Sequence, residues 1–216
     1  MTAIGSSETL VDEPPVRSKR GEPTWELAYE YPRQGEWTER DYLALHTTQR
    51  VELSNGCLEF LPMAGAFHQR ILMFLLFALH EFLRSSKLGE VLPAPMAVRL
   101  GPGNYRDPDL TFYRRGREPQ GNRQPPAPDL AVEIVSPGDE SRERDLEDKR
   151  KEYAEAGVSE YWIVDPERRK IDVLALEGTN YKTHGEFGEG ERATSLLLSG
   201  FGVDVSALFA AGRPPE

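Results

Sequence analysis

Cysteine is almost missing from this chain: Cys57 stands alone among 216 residues. It has no internal disulfide partner, so nothing in the sequence calls for an oxidising compartment. Positive charge is scarce as well. Lys and Arg total 26 against 36 Asp and Glu, a net charge of −10, which excludes a global cationic field for holding nucleic acid. Any polyanionic partner must be gripped locally. Long apolar runs are lacking too: the longest, Ile71 to Leu79, has nine residues, against the roughly 20 that span a bilayer. A membrane-spanning helix is therefore not expected. The first residues, MTAIGSSETLVDEPPVRSKRGEPTWE, carry early acids and no apolar stretch of the kind a secretory signal needs, and the expectation is a cytoplasmic protein. The hydrophobic fraction of 38% is low, but 19 glycines narrow the gap to an ordinary globular composition. A core is possible alongside a polar surface.

Against a prior of about 150 residues per domain, the length predicts one domain with extra segments. Residues 1–24 mix Ser, Pro, Glu and Lys/Arg without apolar period, as in segments that cannot offset their own ordering entropy, so a disordered tail is expected before a single domain over 25–216. Thr38 followed by Asp41 predicts a capped helix ending near His46. Asn55-Gly56 between Val51-Glu52-Leu53 and Cys57 to Phe60 predicts a hairpin. From Phe67 to Leu83, apolar residues recur on more than one side, which predicts a core helix with most of its circumference covered. Strands are expected at Ala97–Leu100, Leu110–Tyr113, Leu130–Val135, Tyr161–Val164 and Ile171–Leu176. One further helix, Glu140 to Ala156, should stop at Gly157. That order implies an α/β or α+β layer fold with a central mixed β-sheet flanked by helices.

Three residues resist a bland reading. Leu130 to Val135 is apolar except for Glu133, as in a central strand covered on both faces. A lone carboxylate there would cost several kcal/mol, so a cation, a buried Arg or Lys, or a shifted pKa must hold it, unless the strand is an edge and Glu133 faces water. Asp109, after Pro108, sits at the first turn of the Leu110 strand, within reach of an adjacent strand's carboxylate. Lys149 lies three residues after Leu146 and four before Tyr153, so it falls on the inward stripe of its helix; either it serves the site or it pairs with Asp145 one turn earlier. Two carboxylates and a lysine are what metal-dependent phosphodiester hydrolysis requires. Hard Mg²⁺ takes oxygen ligands, polarises the phosphoryl oxygen and acidifies a bound water; a nearby lysine steadies the developing charge.

The stretches Pro108-Asp109-Leu110 and PDLAVEIVSPGDESRERDLEDKRKEYAEAGVSEYWIVDP, Pro128 to Pro166, resemble the signature of the bacterial Uma-two family of predicted endonucleases, in the PD-(D/E)XK superfamily. Val51 to Gly56 and Phe67-His68-Gln69 are similar to that family's hairpin and helix start. The resemblance runs from near Trp37 to near Phe209. It implies a restriction-endonuclease-like core and a Mg²⁺ site, with Mn²⁺ as a possible substitute, held by Asp109, Glu133 and the backbone carbonyl of Ile134. Glu52 resembles an additional acid completing the metal shell, although a hairpin carboxylate facing water explains it equally. His68 either assists at the phosphate or caps and packs its helix. The superfamily's Glu-x-Lys would put lysine at Val135; here Lys149 takes that role from the following helix.

The expected function is thus a Mg²⁺-dependent endonuclease acting on DNA, with a homodimer favoured if both strands of a duplex are cut. Clusters at Arg114, Arg115, Arg117 and Arg123, and at Arg168, Arg169 and Lys170, are the candidate cationic rim. The competing expectation is a non-catalytic binding or assembly module built on the same core. Without metal, Glu133 is expected to stand as an uncompensated buried carboxylate beside Asp109, so at least one of the two carboxyls should hold its proton more tightly than in the unfolded chain.

Overall fold

A computed structural model describes residues 18–121, 123–136 and 144–214. The expected tail at 1–24 lies outside the described residues as far as position 17, and so does the expected helix start at Glu140. The described chain opens with one turn, α1 (Trp25–Ala28), then α2 (Glu39–Ala44). At α2 the Thr38 hydroxyl accepts from the Asp41 N–H while the Asp41 carboxylate accepts from the Thr38 N–H, the reciprocal cap expected of this spacing. β1 (Val51–Ser54) and β2 (Cys57–Phe60) pair antiparallel. Asn55 and Gly56 between them both take positive φ, 49° and 76°, as a two-residue hairpin turn demands.

Next come α3 (Ala66–Ser86), β3 (Gly89–Pro93), β4 (Val98–Gly101), β5 (Asn104–Arg106), β6 (Leu110–Arg114) and β7 (Leu130–Ile134). A π-helical turn over Arg144–Asp148 leads into α4 (Lys149–Glu155), and Gly157 at φ 77° ends the element. The chain closes with β8 (Glu160–Asp165), β9 (Lys170–Glu177), β10 (Asn180–Gly188), β11 (Arg192–Thr194), β12 (Gly202–Asp204) and α5 (Val205–Ala211).

Two sheets carry the architecture. The larger runs β10-β9-β8-β7-β6-β3, with β7 and β8 parallel and the other neighbours antiparallel. This is the mixed α+β sheet expected from the element order. The smaller, β2-β1-β5-β4, is antiparallel throughout. Alternation along β7 sends Leu130, Val132 and Ile134 into the core with α3 and α5, and Ala131 and Val135 into a second core with Tyr153 of α4. Both faces of β7 are therefore covered, and all five of its residues are buried. Each Leu, Ile or Val so buried contributes about 1.5–3 kcal/mol.

α3 buries Ile71, Leu72, Leu75, Leu79 and Leu83 and packs Phe67, Phe74, Leu76, Ala78 and Phe82 partly against the same core, while Met73 and Phe77 are exposed, so more than one side is covered and a strip is left open. At 21 residues the helix is long and apolar enough to cross a bilayer by length and composition; its stripe packs instead on the larger sheet and α5.

Candidate active site

Strand register brings the acids together. Leu110 of β6 pairs with Val132 of β7 in an antiparallel ladder, and Asp109, just before β6, reaches the end of β7 through its carboxylate, which accepts from the N–H of Ile134, the residue after Glu133. Glu133 shares its face with Ala131 and Val135 and so points at α4. From α4, Lys149 and Tyr153 project one helical turn apart. Lys149 Nζ lies 2.8 Å from Glu133 Oε1, and the Tyr153 hydroxyl donates to the same oxygen at 2.7 Å. Nζ also lies 3.1 Å from Glu52 Oε1 on β1. All four side chains are buried. Lys149 thus points inward, as its helical stripe predicts; the side chain of Asp145, the other partner weighed for it, lies outside the described residues.

The expectation of an uncompensated Glu133 beside Asp109 does not hold. Glu133 faces an ammonium and a phenol, which compensate its charge in the interior. Asp109 has its own anchors: Oδ2 accepts from the Ile134 N–H at 2.8 Å, and Oδ1 lies 3.1 Å from His68 Nε2. His68, near the start of α3, therefore meets a site carboxylate and does not merely pack. Burial, reinforced by the charge of Glu133, pushes the Tyr153 hydroxyl well above its usual range, so Tyr153 remains a donor.

Glu52 is not an exposed hairpin acid. It is completely buried, and both oxygens are engaged. Oε1 accepts from the Asp107 N–H at 2.8 Å besides meeting Lys149, and Oε2 accepts from Arg106 Nη1 at 2.8 Å. Burial opposes ionisation of Glu52, but the charges of Lys149 and Arg106 and the Asp107 N–H outweigh it and hold the carboxyl at about 2. Arg106, fully buried itself, also pairs with Glu59 at 2.6 Å and with both oxygens of Glu152 on α4, whose Oε1 further accepts from the Ser54 hydroxyl at 2.6 Å. Burial disfavours the Arg106 cation, yet these carboxylates more than compensate and raise its pKa. No sequence period marks Arg106. The nearest signal is the run of acids around it, on β1, β2 and α4, that can be buried only against a shared cation.

A cleft opens against Arg50, His68, Asp109, Glu133, Ile134 and Lys149, with about 20 Å³ of water-sized space, room for about one water or ion. Arg50 donates to Asp107 Oδ2 at 2.9 Å on its rim. The expected cationic rim at Arg114, Arg115 and Arg117 is elsewhere. Arg114 ends β6 at the opposite end from Asp109, about 17 Å along the strand, and both Arg114 and Arg117 face Asp129, at 3.6 and 2.5 Å. The Arg168 to Lys170 turn does follow β8 at the end where the parallel β7 carries Glu133. Its Arg169 pairs with Glu189, and its Lys170 with Asp172 and Glu186. Among the described residues, no group of three or more His, Cys, Asp and Glu is set to hold a metal ion.

A solved structure from Anabaena variabilis ATCC 29413, titled a putative nuclease belonging to DUF820, superposes with a TM-score of 0.69, covering 82% of this chain and 99% of that one at 18% identity. That likeness shows the fold, a mixed sheet flanked by helices. No curated protein matches the chain in sequence. The family profile Uma2, described as "Putative restriction endonuclease", matches residues 39–206, a span that takes in both sheets and every residue of the cleft, and the chain belongs to this family.

Proposed function

We propose that the protein is a Mg²⁺-dependent endonuclease that hydrolyses phosphodiester bonds of DNA. The observation that carries the reading is that Asp109, whose carboxylate accepts from the Ile134 N–H, lines one cleft with Glu133, with Lys149 Nζ 2.8 Å from Glu133. The donors fit a hard cation: Mg²⁺ needs only one or two carboxylates and keeps several waters, so Asp109, Glu133 and the Ile134 carbonyl suffice, and Mn²⁺ would substitute. When bound, the ion polarises the phosphoryl oxygen and generates a nucleophilic water. Lys149 would orient an attacking water and steady the negative charge that gathers on the phosphoryl oxygens. His68 holds Asp109 from the opposite side. Glu52 is assigned here as a positioning residue in place of a metal ligand, because its oxygens fix Lys149 and Arg106.

Lys149 also favours the competing reading of a non-catalytic module, since its ammonium by itself sets a positive charge against both Glu133 and Glu52. One experiment separates the two. The full chain is incubated with plasmid, single-stranded and branched DNA in Mg²⁺, Mn²⁺ or chelator, beside Glu133→Gln. Metal-dependent cleavage that the variant lacks is the expected result; no cleavage of any substrate by the parent leaves the module reading. A homodimer is proposed if both strands of a duplex are cut together.

A further inference from the structure

Next to the carboxylate cleft lies an apolar one of about 410 Å³, within the size range of small-molecule sites. Its walls come from two parts of the fold. Pro62, Met63 and Phe67 line it at the β2–α3 junction, and Val135 and Pro166 line it just beyond the ends of the parallel strands β7 and β8. His68 and Ser136 border both clefts. The two clefts therefore lie side by side, one lined by Asp109 and the other by Met63, which is 96% exposed.

Any phosphodiester seated at the carboxylates brings a sugar and a base to this neighbourhood. A base stacked inside a duplex cannot enter a recess of this kind, whereas an unpaired base can, and it gains stacking and apolar contact there. The charges argue the same way. Duplex binding draws on many Lys and Arg contacts to phosphates, yet Arg50 is engaged by Asp107, Arg169 by Glu189 and Lys170 by Asp172 and Glu186, in a chain of net charge −10. Among the described residues, Arg50, Arg144 and Lys149 are the lysines and arginines lining the carboxylate cleft, so contact with a base adds affinity to a small number of phosphate contacts there. We infer that the apolar cleft is a subsite for an unpaired nucleobase beside the scissile phosphate, so that the substrate class is single-stranded DNA or a duplex opened at the cut. The inference rests on the endonuclease reading above.

The test uses the full chain with a labelled single strand, the same strand in a perfect duplex, and that duplex with one unpaired nucleotide. Binding is followed by anisotropy in Ca²⁺ and cleavage in Mg²⁺. The single strand and the interrupted duplex should be bound and cut about tenfold better than the perfect duplex. Met63 is exposed, so substitutions there leave the fold intact: Met63→Glu should reduce that preference about tenfold, and Met63→Trp should strengthen it. A perfect duplex handled as well as the single strand, or a preference untouched by both variants, overturns the subsite. Cleavage without strand preference would sink the subsite and leave the nuclease standing. Single-strand binding that Met63→Glu weakens, with no cleavage of any DNA, would sink the nuclease and leave the subsite.

Discussion

Replacing Glu52 by Gln keeps its shape and removes one charge from the cage around Lys149 and Arg106. The Gln amide would still reach the Asp107 N–H through its oxygen, but its NH₂ would then face a cation. In the folded chain the Glu52 carboxyl titrates at about 2, against an ordinary 4.5. A depressed carboxyl pKa adds stability that is fully present above the unfolded value and is lost as pH falls through the folded one. The difference corresponds to about 3 kcal/mol at about pH 7 and about 1 kcal/mol at about pH 3. For a chain of this length, 3 kcal/mol lowers the melting temperature by about 10 °C. Thermal melts of parent and Glu52→Gln followed by circular dichroism should therefore show a gap of that size near neutrality, shrinking by more than half at pH about 3. A gap of the same size at both pH values would mean that Glu52 matters for its packing alone, and no gap at all would mean that the ion cage does not stabilise the fold.

Lys149→Met deletes the cation lying 2.8 Å from Glu133 and 3.1 Å from Glu52; the metal-free chain should lose about 3–5 kcal/mol, partly regained on adding Mg²⁺, while cleavage is lost. Melts with and without Mg²⁺ and a plasmid nicking assay check this, and parental cleavage would make Lys149 a purely structural residue. Replacing Arg114, Arg115 and Arg117 together by Ala should leave the salt dependence of DNA binding nearly unchanged, because the cluster lies at the wrong end of β6. A fall in the logarithmic salt slope of about 0.9 or more would restore at least one phosphate contact to that loop.

What could be read from sequence is what has a period or a cap. The Thr38–Asp41 cap, the Asn55-Gly56 turn, the buried β7 and the inward Lys149 each follow from spacing alone. β3 escaped because Pro93 ends a short edge strand, where proline costs no ladder bond that matters. β10 escaped because it is also an edge, largely polar, with a register shift between Thr183 and Gly185. β11 and β12, three residues each, fall below any periodic signal. The Arg106 cage was illegible for another reason: its members lie on β1, β2, β5 and α4, and only the tertiary fold makes them neighbours.

That cage bears on why a lysine carried by a helix can serve a strand carboxylate. Position 135 shares the face of Glu133, so a lysine there would reach the same space from the same strand. Here Val135 fills that place and packs into the core with Tyr153, and the ammonium arrives from the opposite layer, on α4. A side chain crossing from helix to sheet has no ladder to fix it, so its direction must be set by what it touches. Glu133 supplies one contact and Glu52 the second, while Arg106 ties Glu52 to Glu152, one turn along α4 from Lys149. The helix is thereby held at two points by the smaller sheet. The β1–β2 hairpin, far in sequence from the acids of β6 and β7, thus sets where the lysine stands, and loosening it would misplace Lys149 without altering Asp109 or Glu133.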